Sequence, residues 1–194
     1  MPLFDHHTHN AAAPAGQAVV SLPREVVAQP EAFSPQPGAL YSAGVHPWWT
    51  AEGDAERLWQ GVLTLAAHPQ VVAIGETGFD RLRGDFALQP ALFARHARLA
   101  AERGKPLIIH CVRAWAELLA ARRAQPDAPG WLVHGFRGKP ALARQLLDAG
   151  IGLTFGPHAN PATLALIPPD ALRLETDDSG LTIDEVAARL GVGQ

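Results

Sequence analysis

The sequence is poor in the features that mark secreted or membrane proteins. It holds one cysteine, Cys111, so no internal disulfide can form, and a reducing cytoplasm is the expected setting. No apolar run reaches the ~20 residues of a membrane span. The first residues show no basic region followed by an apolar stretch, so no signal peptide is expected. Positive charge is not in excess: 16 Lys and Arg stand against 19 Asp and Glu, a net charge of −3. That excludes a chain that binds nucleic acid by bulk charge, so phosphate recognition falls to local arginines or to metal. Repeats, charge blocks and dividing linkers are also missing, and residues 1–194 are read as a single domain. With 47% hydrophobic residues that domain can bury a core. No membrane association or protein partner is implied, and a monomer is expected.

Short apolar runs alternate with amphipathic stretches. Strands are expected at 2–6, 18–22, 40–45, 71–75, 106–110, 131–134, 151–155 and 172–175, and helices at 54–67, 88–104, 114–124, 140–149 and 183–190. Gly104 and Gly150 sit where helix stops belong. The Pro-rich stretch 23–38 reads as an irregular surface connection. Strands alternating with helices predict a parallel sheet, and eight of them predict a closed (β/α)8 TIM-type barrel of class α/β. The chain is short for that fold, which typically needs ~250 residues. The expectation is a pruned barrel with five or six full helices.

Polar residues fall at the C-terminal ends of these strands. His7 and His9 follow the first, His46 ends the third, Glu76 follows the fourth, His110 ends the fifth, His134 ends the sixth and Asp177 follows the eighth. In a barrel these ends ring one mouth, where active sites of the fold lie. In extended chain, residues two apart point the same way, so His7 and His9 can grip one ion while His6 and Thr8 face away. Imidazoles suit zinc, nickel, iron or manganese, and carboxylates extend the range toward magnesium. Four histidines and two carboxylates suffice for two ions if one carboxylate bridges. Such a pair can polarise a phosphoryl oxygen and activate water.

Six stretches, "FDHHTH", "SAGVHPW", "AIGETGFD", "KPLIIHC", "VHGFRG" and "LETDDS", occur in order across residues 4 to 179. On these the chain resembles the TatD-like metal-dependent hydrolases, or TatD-type DNases, of the amidohydrolase superfamily. The resemblance implies two divalent ions, of zinc, magnesium, manganese or nickel. His7, His9 and Asp177 would hold one, His110 and His134 the other, and Glu76 would bridge them. Asp177 would take the proton of the attacking water. His46 would touch the scissile phosphate or leaving group, and Asp5 would anchor the site from behind. The stretch "CVRAW" after His110 departs from the family's usual Ser-Arg-x-Ala. Arg137 stands where a small hydroxyl residue is common, and family members are usually longer. This looks like a compact subgroup whose substrate need not be DNA.

Other readings compete at several positions. His46 precedes a proline and has plain packing as its alternative. Asp177 has the role of a turn cap, with Asp178 as competitor for the base. His68 and His96 read as helix-surface residues, and His6 and His158 as non-ligands. Cys111 reads as a small core residue rather than a nucleophile. Arg81, Arg83, Arg113 and Arg137 lie in loops on the active face, either as phosphate contacts or as ordinary surface charge. Arg113 and Arg137 are the two chosen to bind flanking phosphate. Trp48 is the candidate to stack on a base, and Trp48 and Trp49 have capping of the rim as their alternative. The reading favoured is a dinuclear phosphodiesterase or deoxyribonuclease acting on nucleic-acid ends or nucleotides. The alternatives are the same centre cleaving an amide, a lactone or a small phosphoester, and a metal-binding protein without catalysis.

Overall fold

A computed structural model describes residues 3–126, 128 and 130–192. Seven parallel strands form one sheet in sequence order: β1 (Asp5–Thr8), β2 (Ala18–Ser21), β3 (Leu40–Ala43), β4 (Val71–Asp80), β5 (Leu107–Val112), β6 (Trp131–Val133) and β7 (Gly152–Leu153). Each pairs with the next one in the chain, so every connection is a crossover and the sheet curls. Runs such as Val71-Val72-Ala73-Ile74 and Leu107-Ile108-Ile109 supply the β-branched residues that fit a sheet covered on both faces.

The eighth expected strand is a run of isolated bridges. Leu174 bridges both Asp5 and Phe155, and Asp177 bridges Thr8. His6 N–H donates to the Leu174 carbonyl on one side, and Phe155 N–H donates to the Arg173 carbonyl on the other. Residues 173–177 therefore lie between β1 and the end of β7 and close the ring, as the barrel requires. They fall short of a regular strand, since only Leu174 and Asp177 form bridges to their neighbours.

Among the described residues five helices reach eight residues or more: α2 (Ala55–Leu65), α3 (Gln89–Arg103), α4 (Trp115–Ala124), α5 (Pro140–Asp148) and α7 (Ile183–Leu190). Two short ones, α1 (Arg24–Ala28) and α6 (Pro161–Leu164), follow β2 and β7, and the connection from β1 to β2 carries no helix. The stretch 23–38 is thus only partly irregular. It opens with α1, which ends at Gln29, where the residue before Pro30 leaves the helical region with φ −135° and ψ 67°. In α2 the buried Leu58, Trp59, Val62 and Leu65 recur at helical spacing and face the sheet. A capping box between Thr182 and Glu185 starts α7.

The two faces of β5 show how the core is divided. Leu107 and Ile109 join the main cluster under the helices, whereas Ile108 packs with Val19 and Ala73 in a small separate cluster. His110 follows Ile108 by two and shares its face. The inner face of the barrel thus passes from apolar fill to histidine along a single strand.

His96 is not on the helix surface. It is fully buried on the inner face of α3, where its Nε2 accepts the Val45 N–H at 3.0 Å and its Nδ1 donates to the Leu92 carbonyl at 2.8 Å. It pins the chain one residue before His46. Burial drops its pKa from the usual 6.5 to about 4. Between those values the unfolded chain takes up a proton here that the folded chain refuses, so stability falls as pH drops through that window. The full loss is about 3 kcal/mol. Urea unfolding at pH 7.5 and 4.5 should show a smaller acid loss in His96→Gln than in the parent. Equal losses would show that another group carries the effect.

Candidate metal centre

β1 places His7 and His9 on one face, with ring centroids 5.0 Å apart. Both reach the same atom: their Nε2 atoms lie 3.4 and 3.3 Å from Glu76 Oε2. Asp177 Oδ1 lies 3.8 Å from His7 Nε2 and 3.6 Å from His9 Nε2. The other Glu76 oxygen, Oε1, faces a different set. His46 Nε2 is 2.9 Å from it, His110 Nδ1 2.9 Å and His134 Nε2 2.7 Å. One buried carboxylate thus divides the histidines into two groups, one per oxygen.

Close strand approach makes this possible. A Cβ on Gly78 would stand 1.9 Å from the His110 carbonyl oxygen, and one on Gly44 would stand 2.5 Å from that of Glu76. Any side chain at either position would push β3, β4 and β5 apart and separate Glu76 from its histidines.

The electrostatics suit cations. Burial would raise the Glu76 carboxyl, but His134, His110 and His46 outweigh it and hold it well below the usual carboxylate range. Burial alone would lower the His134 pKa, and the carboxylates of Glu76 and Glu175 push it well above normal instead. His46 is shifted down by burial. Its Nδ1 accepts the Trp48 N–H at 3.1 Å, so the neutral ring carries its proton on Nε2, facing Glu76. His7 Nε2 and Glu76 Oε2 are buried without hydrogen-bond partners. Orphaned nitrogen and carboxylate atoms facing each other are the donor set that a divalent ion of borderline softness satisfies. Three triads have ligand atoms all within 4.8 Å of one another: His7–His9–Glu76, His7–His134–Asp177 and His46–Glu76–His110. These residues fit the expected metals, and His46 lies among the ligand candidates as well as at the mouth.

Two acids that the sequence reading left without a role stand behind the imidazoles. Asp80 Oδ2 accepts from His110 Nε2 at 3.1 Å, and Glu175 Oε1 lies 3.6 Å from His134 Nδ1. Carboxylates in this position fix the tautomer and orientation of an imidazole. Both lay in stretches already singled out, at even spacing from Glu76 and Asp177, and period-two alternation could have found them. Asp5, the expected anchor, accepts the N–H groups of His7 at 3.3 Å and Thr176 at 3.1 Å and the Thr176 hydroxyl at 2.6 Å, so it holds the backbone of His7 and not its ring.

Two cavities open off the histidines. One, of about 220 Å³, is lined by His9, His46, Trp48, Trp49 and Asp178 on the β1–β3–β4 side. The other, of about 420 Å³, is lined by Arg113, Trp115, Arg137 and Gly138 on the β5–β6 side. Both reach His110, His134 and Asp177. Arg81 is drawn away by an ion pair with Glu117, and the Arg83 guanidinium stacks on Trp48 at 4.2 Å. Among the described residues Arg113 and Arg137 have no ion-pair partner and are exposed. Burial pushes the Cys111 thiol up to about 12, which leaves it unreactive. His6 turns its Nδ1 to the Leu174 carbonyl at 3.2 Å, and His158 lines a smaller cavity that adjoins Asp177 and Arg137.

Comparison with known proteins agrees with this geometry. The sequence pattern of the TatD related DNase family matches residues 16–180. A 3'-5' ssDNA/RNA exonuclease TatD from Klebsiella pneumoniae is 36% identical over 157 residues, covering 72% of this chain and 57% of that protein. An uncharacterized metal-dependent hydrolase TatD from Mycobacterium tuberculosis is 37% identical over 132 residues, covering 61% of this chain and 50% of that protein. The chain thus spans little more than half the length of these relatives. The crystal structure of the TatD homolog YJJV from Escherichia coli superposes with a TM-score of 0.77 at 24% identity, covering 97% of this chain and 88% of that one. A TatD family hydrolase from Entamoeba histolytica gives 0.69 at 19% identity, with 90% and 73% covered. These two show a shared fold. No helix among the described residues is long and apolar enough to cross a membrane. With the family pattern running from the second strand to the turn after Asp177, the chain belongs to the TatD-related DNase family.

Proposed function

We propose that this chain is a divalent-metal-dependent phosphodiesterase that releases nucleotides from the ends of single-stranded nucleic acid. The observation that carries the reading is the split at Glu76, whose Oε2 faces His7 and His9 while its Oε1 faces His46, His110 and His134. A carboxylate so placed suits a bridge between two ions. His7, His9 and Asp177 would hold one ion, and His110 and His134 the other. When bound, the ions supply the Lewis acidity that polarises a phosphoryl oxygen and activates a water.

The side chains do the rest. The Asp177 carboxylate accepts the proton of the attacking water. His46, neutral because it is buried, offers its Nε2 proton to the phosphate or the leaving oxygen. The substrate crosses the centre from one cavity to the other. Trp48, 41% exposed, presents a face to a base on one side. Arg113 and Arg137 hold a flanking phosphate bidentately on the other, which compensates for the net acidity of the chain. The relatives named as 3'-5' exonucleases support single-stranded DNA or RNA as the substrate class. A reducing cytoplasm suits the unreactive Cys111, and the proposed form is a monomeric single domain.

Two experiments test this. Manganese or zinc should raise the melting temperature of chelator-treated protein. At a hundredfold excess over Kd the gain is about 3 kcal/mol. Glu76→Gln should lose most of that gain; an equal rise would place the metal elsewhere. With end-labelled single-stranded DNA, mononucleotide release should require metal and fall roughly 10²–10⁴-fold in Asp177→Asn. Absence of release with every metal would remove nucleic acid as the substrate and leave small phosphoesters, amides and lactones.

A further inference from the structure

Asp80, at the end of β4, touches both the metal centre and the base contact of the proposed function, and its role rests on that reading. The Asp80 carboxylate is fully engaged. Its Oδ1 accepts the Leu82 N–H at 2.8 Å. Its Oδ2 accepts twice, from Trp48 Nε1 at 2.6 Å and from His110 Nε2 at 3.1 Å. The tryptophan that presents its face to a base and the imidazole that faces Glu76 are therefore held by the same oxygen.

Asp80 is itself held from behind. Its N–H donates to Gln89 Oε1 at 2.8 Å, and Gln89 Nε2 donates to the Arg83 carbonyl at 3.0 Å. Gln89 is the first residue of α3 and is 1% exposed. It clamps both the carboxylate's backbone and the loop that lays Arg83 over the Trp48 ring. The rings also meet directly, with Trp48 and His110 centroids 5.8 Å apart.

We propose that Asp80 is a positioning residue that couples the metal ligand His110 to the base platform Trp48 through its single Oδ2 atom. Taking the Nε2 proton of His110 leaves the Nδ1 lone pair directed toward Glu76 and the cation site. Taking the indole N–H fixes the plane of the Trp48 ring. Because two donors share one acceptor, each weakens the hold on the other. An asparagine cannot replace the carboxylate: whichever way its amide is turned, an NH₂ faces either the Leu82 N–H or the two ring N–H groups.

The test compares parent, Asp80→Asn and Trp48→Phe in two measurements. One is zinc affinity by competition with a chelating dye. The other is binding of a short oligo(dT) to metal-free protein by fluorescence anisotropy. Asp80→Asn should weaken zinc binding 10–100-fold. It should also weaken oligo(dT) binding by about tenfold, as far as Trp48→Phe does. Trp48→Phe, altered at a partly exposed position, should tighten zinc binding by about twofold, since Asp80 then serves His110 alone. Asp80→Asn with parental zinc affinity overturns the proposal. If that variant does not fold, Trp48→Phe decides alone, and parental zinc affinity there overturns it too. Parental oligo(dT) binding by Trp48→Phe removes the base platform from the proposed function, and the zinc measurements still decide the role of Asp80.

Discussion

The site depends on one buried carboxylate whose oxygens face opposite groups of imidazoles. Taking a carboxylate out of water is costly unless it is paired and hydrogen-bonded. Glu76 meets that condition only because histidines arrive from β1, β3, β5 and the end of β6 at the same height. Much of the barrel answers to this requirement. Glycines at positions 44 and 78 bring three strands into close contact. Ile108 fills the barrel beneath His110 with hydrocarbon. His96 ties down the chain beside His46 from the helix layer. Each would be an arbitrary choice in a barrel that did not need to surround one acid.

Charge is then sorted around that acid. The side built from the ends of β1, β3 and β4 carries Trp48 and Trp49, and the side built from β5 and β6 carries Trp115 with two arginines that have no ion-pair partner among the described residues. Two further loop arginines are consumed locally, one by Glu117 and one by Trp48. Net acidity is therefore a poor guide to the mouth of this molecule. The cationic surface of the proposed substrate contact is a pair of side chains on consecutive strand-end loops, too small to move the overall balance.

Much of this was legible in the sequence. Period-two alternation identified His7 and His9, and apolar runs identified the strands whose ends carry the remaining histidines. Alternation of strand and helix implied the barrel. What escaped reading depends on neighbours distant in the chain. Asp80 and Glu175 resemble ordinary strand-end acids until His110 and His134 are seen beside them. A histidine amid the arginines of α3 looks like surface until the helix is docked with that face inward. The eighth strand was expected as regular because its apolar pattern is regular. Its pairing is made only through isolated bridges at Leu174 and Asp177, and no pattern of apolar residues reports that. The one turn of helix after Pro23 was hidden by the prolines that bracket it.

The irregular closure of the ring has a consequence for time as well as space. Thr176 is bonded to Asp5 across 171 positions of chain, among the longest-range hydrogen bonds of the fold. Contacts of that separation are slow to form, because the entropy of closing so large a loop must be met before they give any return. The proposed base, Asp177, sits on this join and reaches His7 only once it is made. A partly folded or partly synthesised chain can already carry Glu76 and several histidines, yet it has no group in place to accept a proton. Competence in the proposed reaction therefore waits on the pairing of residues 173–177 with β1, the join of greatest sequence separation.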